Sequence, residues 1–356
     1  MVKKKAASKW VIGTLTVAFL LLAAFAGICI YVDPFCHYHM PLDGYDYSVA
    51  WSDSLYLNAG IAKHYDYDGI ITGTSMSENF KTSEAERLFG MSFIKIPQQG
   101  GSFKEINTLL ELAYASGKNP KYAIRSLDDY AISEDYNSLP HLSAVDYLYN
   151  DNVFDDVNYL FNLEMFTRYT RSILAHPLNG GVESSIDFDS YCSWEHPTGK
   201  EVVLATYTVD AADEEAVFTP EDKAKLLKNI RFNITDIAYE HPETTFICFF
   251  PPYSICDWEI KNGEKSLHRA VDKYRIVAEE LLKCPNIKLF AFYDHYDIIC
   301  DLDNYRDAWH YCADVNSELL KMMANGTSML TLDNYEDYFN EIERFFSEYD
   351  YSWLHE

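Results

Sequence analysis

The sequence predicts an α/β fold of three layers, helix, mainly parallel sheet and helix, behind one N-terminal transmembrane helix. Three observations predict it. Short apolar runs that suit buried strands (Gly69–Thr72, Phe93–Ile96, Lys121–Leu127, Thr245–Phe250, Ile287–Phe292) alternate with longer runs that suit helices. That alternation implies parallel strands covered on both faces and joined by right-handed crossovers. Lys3, Lys4, Lys5 and Lys9 precede an uncharged, mostly apolar run from Trp10 to Tyr31, about long enough to cross a bilayer as a helix. Glycine-bearing turns at Gly73-Thr74 and Gly100-Gly101 each separate a strand from a helix, and loops of this kind gather at the carboxyl edge of a doubly wound sheet.

The 356 residues suit one enlarged α/β domain, and 48% hydrophobic content with 28 Tyr and 21 Phe is ample for a core. A formal net charge of -26 argues against nucleic acid or an anionic membrane surface as a partner, since both would repel it. It fits a cationic or neutral substrate, or simple solubility outside the cell. Eight cysteines form no CxxC pair, so no zinc knuckle or redox motif is visible. One or two disulfides and none are both open, because Cys29 lies in the anchor and Cys248 in an apolar strand run. His37 and His39 lack a third ligand, and the carboxylates from Asp294 to Asp307 do not fit an EF-hand loop. No metal and no cofactor is expected.

The organisation follows in order. Residues 1–9 form a basic segment that stays in the cytoplasm, 10–32 the transmembrane anchor with Trp10 and Tyr31 at its interfaces, and everything from Asp33 lies outside the membrane. A cleaved signal peptide is the rival, since Ala24-Phe25-Ala26 resembles a cleavage site; the apolar run continuing through Val32 favours a retained anchor. Residues 33–65 are a connector ending in a helix over 54–64. Residues 66–330 are the α/β domain, with helices over 103–116, 219–239, 265–283 and 312–323. An insertion at about 144–209 interrupts it, with helix-spaced aromatics first and then a loop over 180–209 that holds a strand-like run, Val202–Val209. It is expected to lid or flank the site. Residues 331–356 carry a C-terminal helix whose Tyr335, Tyr338, Phe339, Ile342, Phe345 and Phe346 form an apolar stripe that packs on the domain.

Ser75 is placed where the first strand hands over to a helix running to Phe80, among unpaired N–H groups that suit a developing negative charge. An N-cap role alone is the plain structural reading. Far downstream, Asp307 and His310 stand three apart at a loop-to-helix junction. A carboxylate so spaced accepts the imidazole Nδ1–H and leaves Nε2 free to take a proton from a serine.

Together these stretches resemble the SGNH/GDSL hydrolase superfamily, whose first block is GDSxxxxF and whose last is DxxH. Gly73-Thr74-Ser75-Met76-Ser77-Glu78-Asn79-Phe80 matches the first except that Thr74 replaces the acid, and Asp307-Ala308-Trp309-His310 matches the last. The resemblance implies a flavodoxin-like SGNH fold, Ser75 as nucleophile, His310 as general base and Asp307 as the residue orienting it. It also implies an oxyanion hole of the Ser75 N–H with that of Gly100 or Gly101. The GxND block has no counterpart: Arg125-Ser126-Leu127-Asp128 stands near its place and supplies no Asn, and loss of one such donor commonly costs about two to three powers of ten in turnover. An anchor before such a first block is similar to the DltD proteins of teichoic-acid D-alanylation and to polysaccharide O-acetyltransferases. The expectation is a bacterial membrane protein, serine esterase or acyltransferase, with an envelope glycan or glycolipid as substrate and a membrane acyl-delivery protein as partner. A non-catalytic binding or assembly protein of the same fold is the alternative.

Overall fold

The computed structural model describes residues 2–177, 185–212 and 216–355. The side chains of Lys3, Lys4 and Lys5 and the part of the expected loop over 180–184 lie outside the described residues. Two compact units form, Met1–Tyr65 with Ala144–Ile186, and Asp66–Ser143 with Asp187–Glu356. The insertion is therefore not one body. Its first part folds with the N-terminal unit, and the part from Asp187 belongs to the sheet-bearing unit.

In the N-terminal unit one helix runs Val2–Val32, and its Ser8–Val32 portion is long and apolar enough to cross a membrane. Beyond it, Asp33 accepts the backbone N–H groups of His37, Tyr38 and His39 and the hydroxyl of Tyr159, which pins the chain as it leaves the helix. The expected helix is present at Ser54–His64. The helix-spaced aromatics over 144–175 sit on short helical turns, among them Val157–Leu160, the π-turn Met165–Thr170 and Arg171–Ala175.

The second unit carries a six-stranded sheet in the order β2-β1-β3-β4-β5-β6, with β1 Gly69–Thr72, β2 Phe93–Lys95, β3 Tyr122–Ser126, β4 Thr245–Phe250, β5 Ile287–Ala291 and β6 Met329–Leu330. The first five pair in parallel, and β6 adds an antiparallel edge. Ile70, Ile71, Ile124, Phe246, Ile247, Cys248 and Leu289 are all buried, as strands covered on both faces require. The helices fall into two packed sets. Thr82–Phe89 lies against Ala313–Asn325, while Pro220–Ile230, Leu267–Leu281 and Tyr335–Glu348 pack in series. Phe339, Ile342 and Phe346 of the C-terminal helix are buried there, and Phe346 stacks on Trp258 at 3.9 Å.

Thr219 caps its helix reciprocally with Asp222, with Pro220 in the first turn. Three expectations change. Val202–Val209 is not a strand: a short helix occupies Lys200–Leu204, because tertiary packing, which buries Val203 completely, overrides a β-branched run. The helix expected from Ser75 to Phe80 is only a 3-10 turn, Ser75–Ser77, and a true helix starts at Thr82. The cause is Lys95, whose buried ammonium takes the carbonyls of Glu78 (2.5 Å) and Phe80 (2.9 Å), the acceptors a continuing helix would use. Helix Ile255–Gly263 stands between the fourth strand and the helix expected over 265–283, in a stretch for which no element is expected. No disulfide joins the eight cysteines.

Candidate active site

β1 delivers its chain into a turn that only glycine fits. Gly73 has φ +133, and a Cβ there would lie 2.2 Å from the Ser126 hydroxyl and 2.4 Å from that of Ser77. The Ser77 hydroxyl closes the turn onto the Thr72 carbonyl at 2.9 Å. Beneath it, the Thr74 N–H donates to Ser126 Oγ (3.2 Å), which in turn donates to Asp128 (2.5 Å). Thr74, Ser126 and Asp128 are buried, so the carboxyl that Thr74 lacks stands below the turn on the third-strand segment. Burial raises the Asp128 pKa against the hydrogen bonds of Ser126 and Thr74 and the charge of His310.

This turn presents Ser75 Oγ 2.9 Å from His310 Nε2, although the two are 235 positions apart. The other ring nitrogen, Nδ1, lies 2.8 Å from Asp307 Oδ2 and 3.0 Å from Oδ1. With Nδ1 protonated toward the carboxylate, Nε2 accepts the serine hydroxyl proton. Asp307 also accepts the N–H groups of Trp309 (2.9 Å) and His310 (2.8 Å) and Arg306 Nε (3.2 Å). Burial opposes its ionisation, yet the hydrogen bonds from His310 and the Trp309 N–H and the His310 charge hold the carboxyl well below the usual carboxylate range. The loop itself is fixed at both ends. A Tyr305–Tyr311 bridge closes its base, Ser254 holds the Ala308 carbonyl through N–H and hydroxyl, and the Trp309 indole donates to Asp257 at 2.9 Å.

The other predicted positions divide. Among the described residues neither the Ser75 nor the Gly100 N–H has a protein acceptor, whereas the Gly101 N–H donates to the Gln98 carbonyl at 2.9 Å. Gly100 has φ +62, which suits the N–H of a loop turned outward. Of the two glycines, only Gly100 thus keeps its N–H without a protein acceptor among the described residues. Leu127, which stands near the place of the Asn in a GxND block, is fully buried and adds no amide. A side-chain amide that is buried without a partner among the described residues is Asn79 Nδ2.

Five contributors escaped the sequence reading. Trp194, from the insertion, presents an edge to the His310 ring (6.1 Å), and the Arg306 guanidinium lies over the Trp194 ring at 4.5 Å. Asp189 reaches from the same segment to the start of helix Thr82–Phe89, accepting from Ser83 N–H (2.9 Å) and Thr82 Oγ1 (3.2 Å). Glu78 is buried in the first block itself, and burial pushes its carboxyl up to about 7 against the charges of His310, Lys95 and Arg306. Burial likewise lowers Lys95 to about 8. Of these only Glu78 and Arg306 gave any signal, as charged residues within the first block and beside the second.

Comparison with protein-family models, curated proteins and solved structures found no match for this chain.

Proposed function

We propose that this chain is a membrane-anchored, extracytoplasmic SGNH-like serine hydrolase or O-acyltransferase acting on acyl esters of a bacterial cell-envelope glycan or teichoic-acid-like polymer. The observation that carries the reading is the hydrogen-bonded series Ser75 Oγ, His310 Nε2, His310 Nδ1, Asp307 at 2.9 and 2.8 Å. The 2-1-3-4-5 parallel order and the two helix sets support a three-layer, flavodoxin-like fold. With right-handed crossovers, the sets fall on opposite faces and loops after β1 and β5 meet at one sheet edge.

In the reaction, Ser75 Oγ attacks the acyl carbonyl as its proton passes to His310 Nε2. Charge on the carbonyl oxygen is met by the Ser75 and Gly100 N–H groups. The tetrahedral adduct collapses, the alcohol leaves with the proton from His310, and an acyl-serine remains. Water or a sugar hydroxyl then gives its proton to His310 and takes the acyl group, and the proton returns to Ser75. Asp307 stays ionised throughout and holds the ring.

Mass spectrometry of envelope glycans from a deletion strain, complemented with wild type or Ser75→Ala, tests the substrate class. The expected result is a change in ester-linked acyl groups that wild type reverses and Ser75→Ala does not. A glycan acylation profile unaltered by deletion would exclude this substrate.

A further inference from the structure

The N-terminal unit places part of its own folded chain alongside the apolar helix. Phe25, Ala26, Cys29 and Val32 form a covered stripe at helical spacing, whereas Trp10, Leu20, Leu21 and Leu22 are exposed. The cover is Val157–Leu160 and the π-turn Met165–Thr170, with Phe25 4.6 Å from the Phe166 ring and 6.2 Å from Phe161. Register gives the depth. The twenty residue steps from Trp10 to Ile30 rise about 30 Å, the thickness of a hydrocarbon core, so Phe25, five steps before Ile30, lies about 7–8 Å inside that boundary. Side chains packed on Phe25 share its depth.

The neighbouring surface has the matching chemistry. Val153 is 70% exposed, Phe154 84% and Leu163 69%, with Val157 and Phe161 also open. Five large apolar groups are exposed within eleven residues of so acidic a chain, and one of them, Phe161, stacks on Phe25 of the helix; the exposed Asp151, Asn152, Glu164 and Arg168 stand beside them in the sequence.

We propose that the apolar side chains of Val153, Phe154, Val157, Phe161 and Leu163 enter the bilayer leaflet at the Val32 end of the helix and lie against lipid acyl chains. The unit then sits partly in the membrane instead of standing above it on a tether. The proposal rests on the helix crossing the membrane, and the test separates the two.

The full chain is placed in phosphatidylcholine nanodiscs with an environment-sensitive fluorescent amino acid in place of Phe154, Leu163, Leu20 or Glu341. Acyl-brominated lipid is expected to quench the label at least twofold at Phe154, Leu163 and Leu20 and to leave it unchanged at Glu341, an exposed position on the C-terminal helix. Quenching of Leu20 alone, with Phe154 and Leu163 open to aqueous iodide, overturns the insertion but keeps the anchor. Labels at Phe154 and Leu163 reached by neither quencher would mean that protein covers the patch, which also overturns it. No bromolipid quenching at Leu20 removes the anchor and the proposal together.

Discussion

Arg306 links the Asp307 carboxylate to the insertion, since one guanidinium both donates to Asp307 and covers Trp194. A hydrogen bond between charged groups is worth about 1.5–3 kcal/mol, so Arg306→Gln is expected to slow labelling by a serine-directed fluorophosphonate about tenfold or more. Arg306→Lys should recover little of the loss, because an ammonium has no planar face for the indole. Second-order labelling rates would decide both. Glu78 gives a pH prediction. Its folded pKa, about 7, lies above the ordinary value of 4.5, so the folded state holds the proton more tightly and stability falls as pH rises between those values. Glu78→Gln should flatten that slope and be more stable than wild type at pH 8 by on the order of 3 kcal/mol, read from urea unfolding at several pH values.

At the scale of elements, the Gly73 turn and the Asp189 cap have definite costs when broken. Gly73→Ala meets a positive φ and two hydroxyls closer than any Cβ tolerates, and is expected to lose more than about 2 kcal/mol of stability together with labelling at Ser75. Asp189→Ala removes a helix cap delivered from outside the helix and should cost about 1 kcal/mol, seen as a lower thermal midpoint with labelling retained. The five parallel strands were legible because burial on both faces leaves continuous apolar runs, and β4 lies at the bounds expected for it. β6 has two residues and no pattern to read. Helix Ile255–Gly263 was missed because it is buried on nearly every side, with Asp257 and Lys261 paired inside, so it lacks the polar face that marks an amphipathic helix. The candidate triad was visible for a local reason: its residues occupy two short contiguous blocks. Trp194, Asp189 and the Ser126–Asp128 pair act only through tertiary contact, which leaves no mark in spacing.

At the scale of the molecule, 55 acidic against 29 basic residues surround an apolar helix, so charge cannot hold this chain to an anionic bilayer. Membrane association should therefore survive 1 M salt and alkaline carbonate and yield only to detergent, as immunoblots of washed membranes would show. Release by salt alone would remove the anchor. The catalytic account needs a single covalent fact. Intact-mass analysis of the detergent-solubilised full chain after fluorophosphonate treatment should find one adduct, mapped to Ser75, absent in Ser75→Ala and formed at least a hundredfold more slowly in His310→Ala. An adduct of undiminished yield in Ser75→Ala, or wild-type protein that takes up none, would contradict the account.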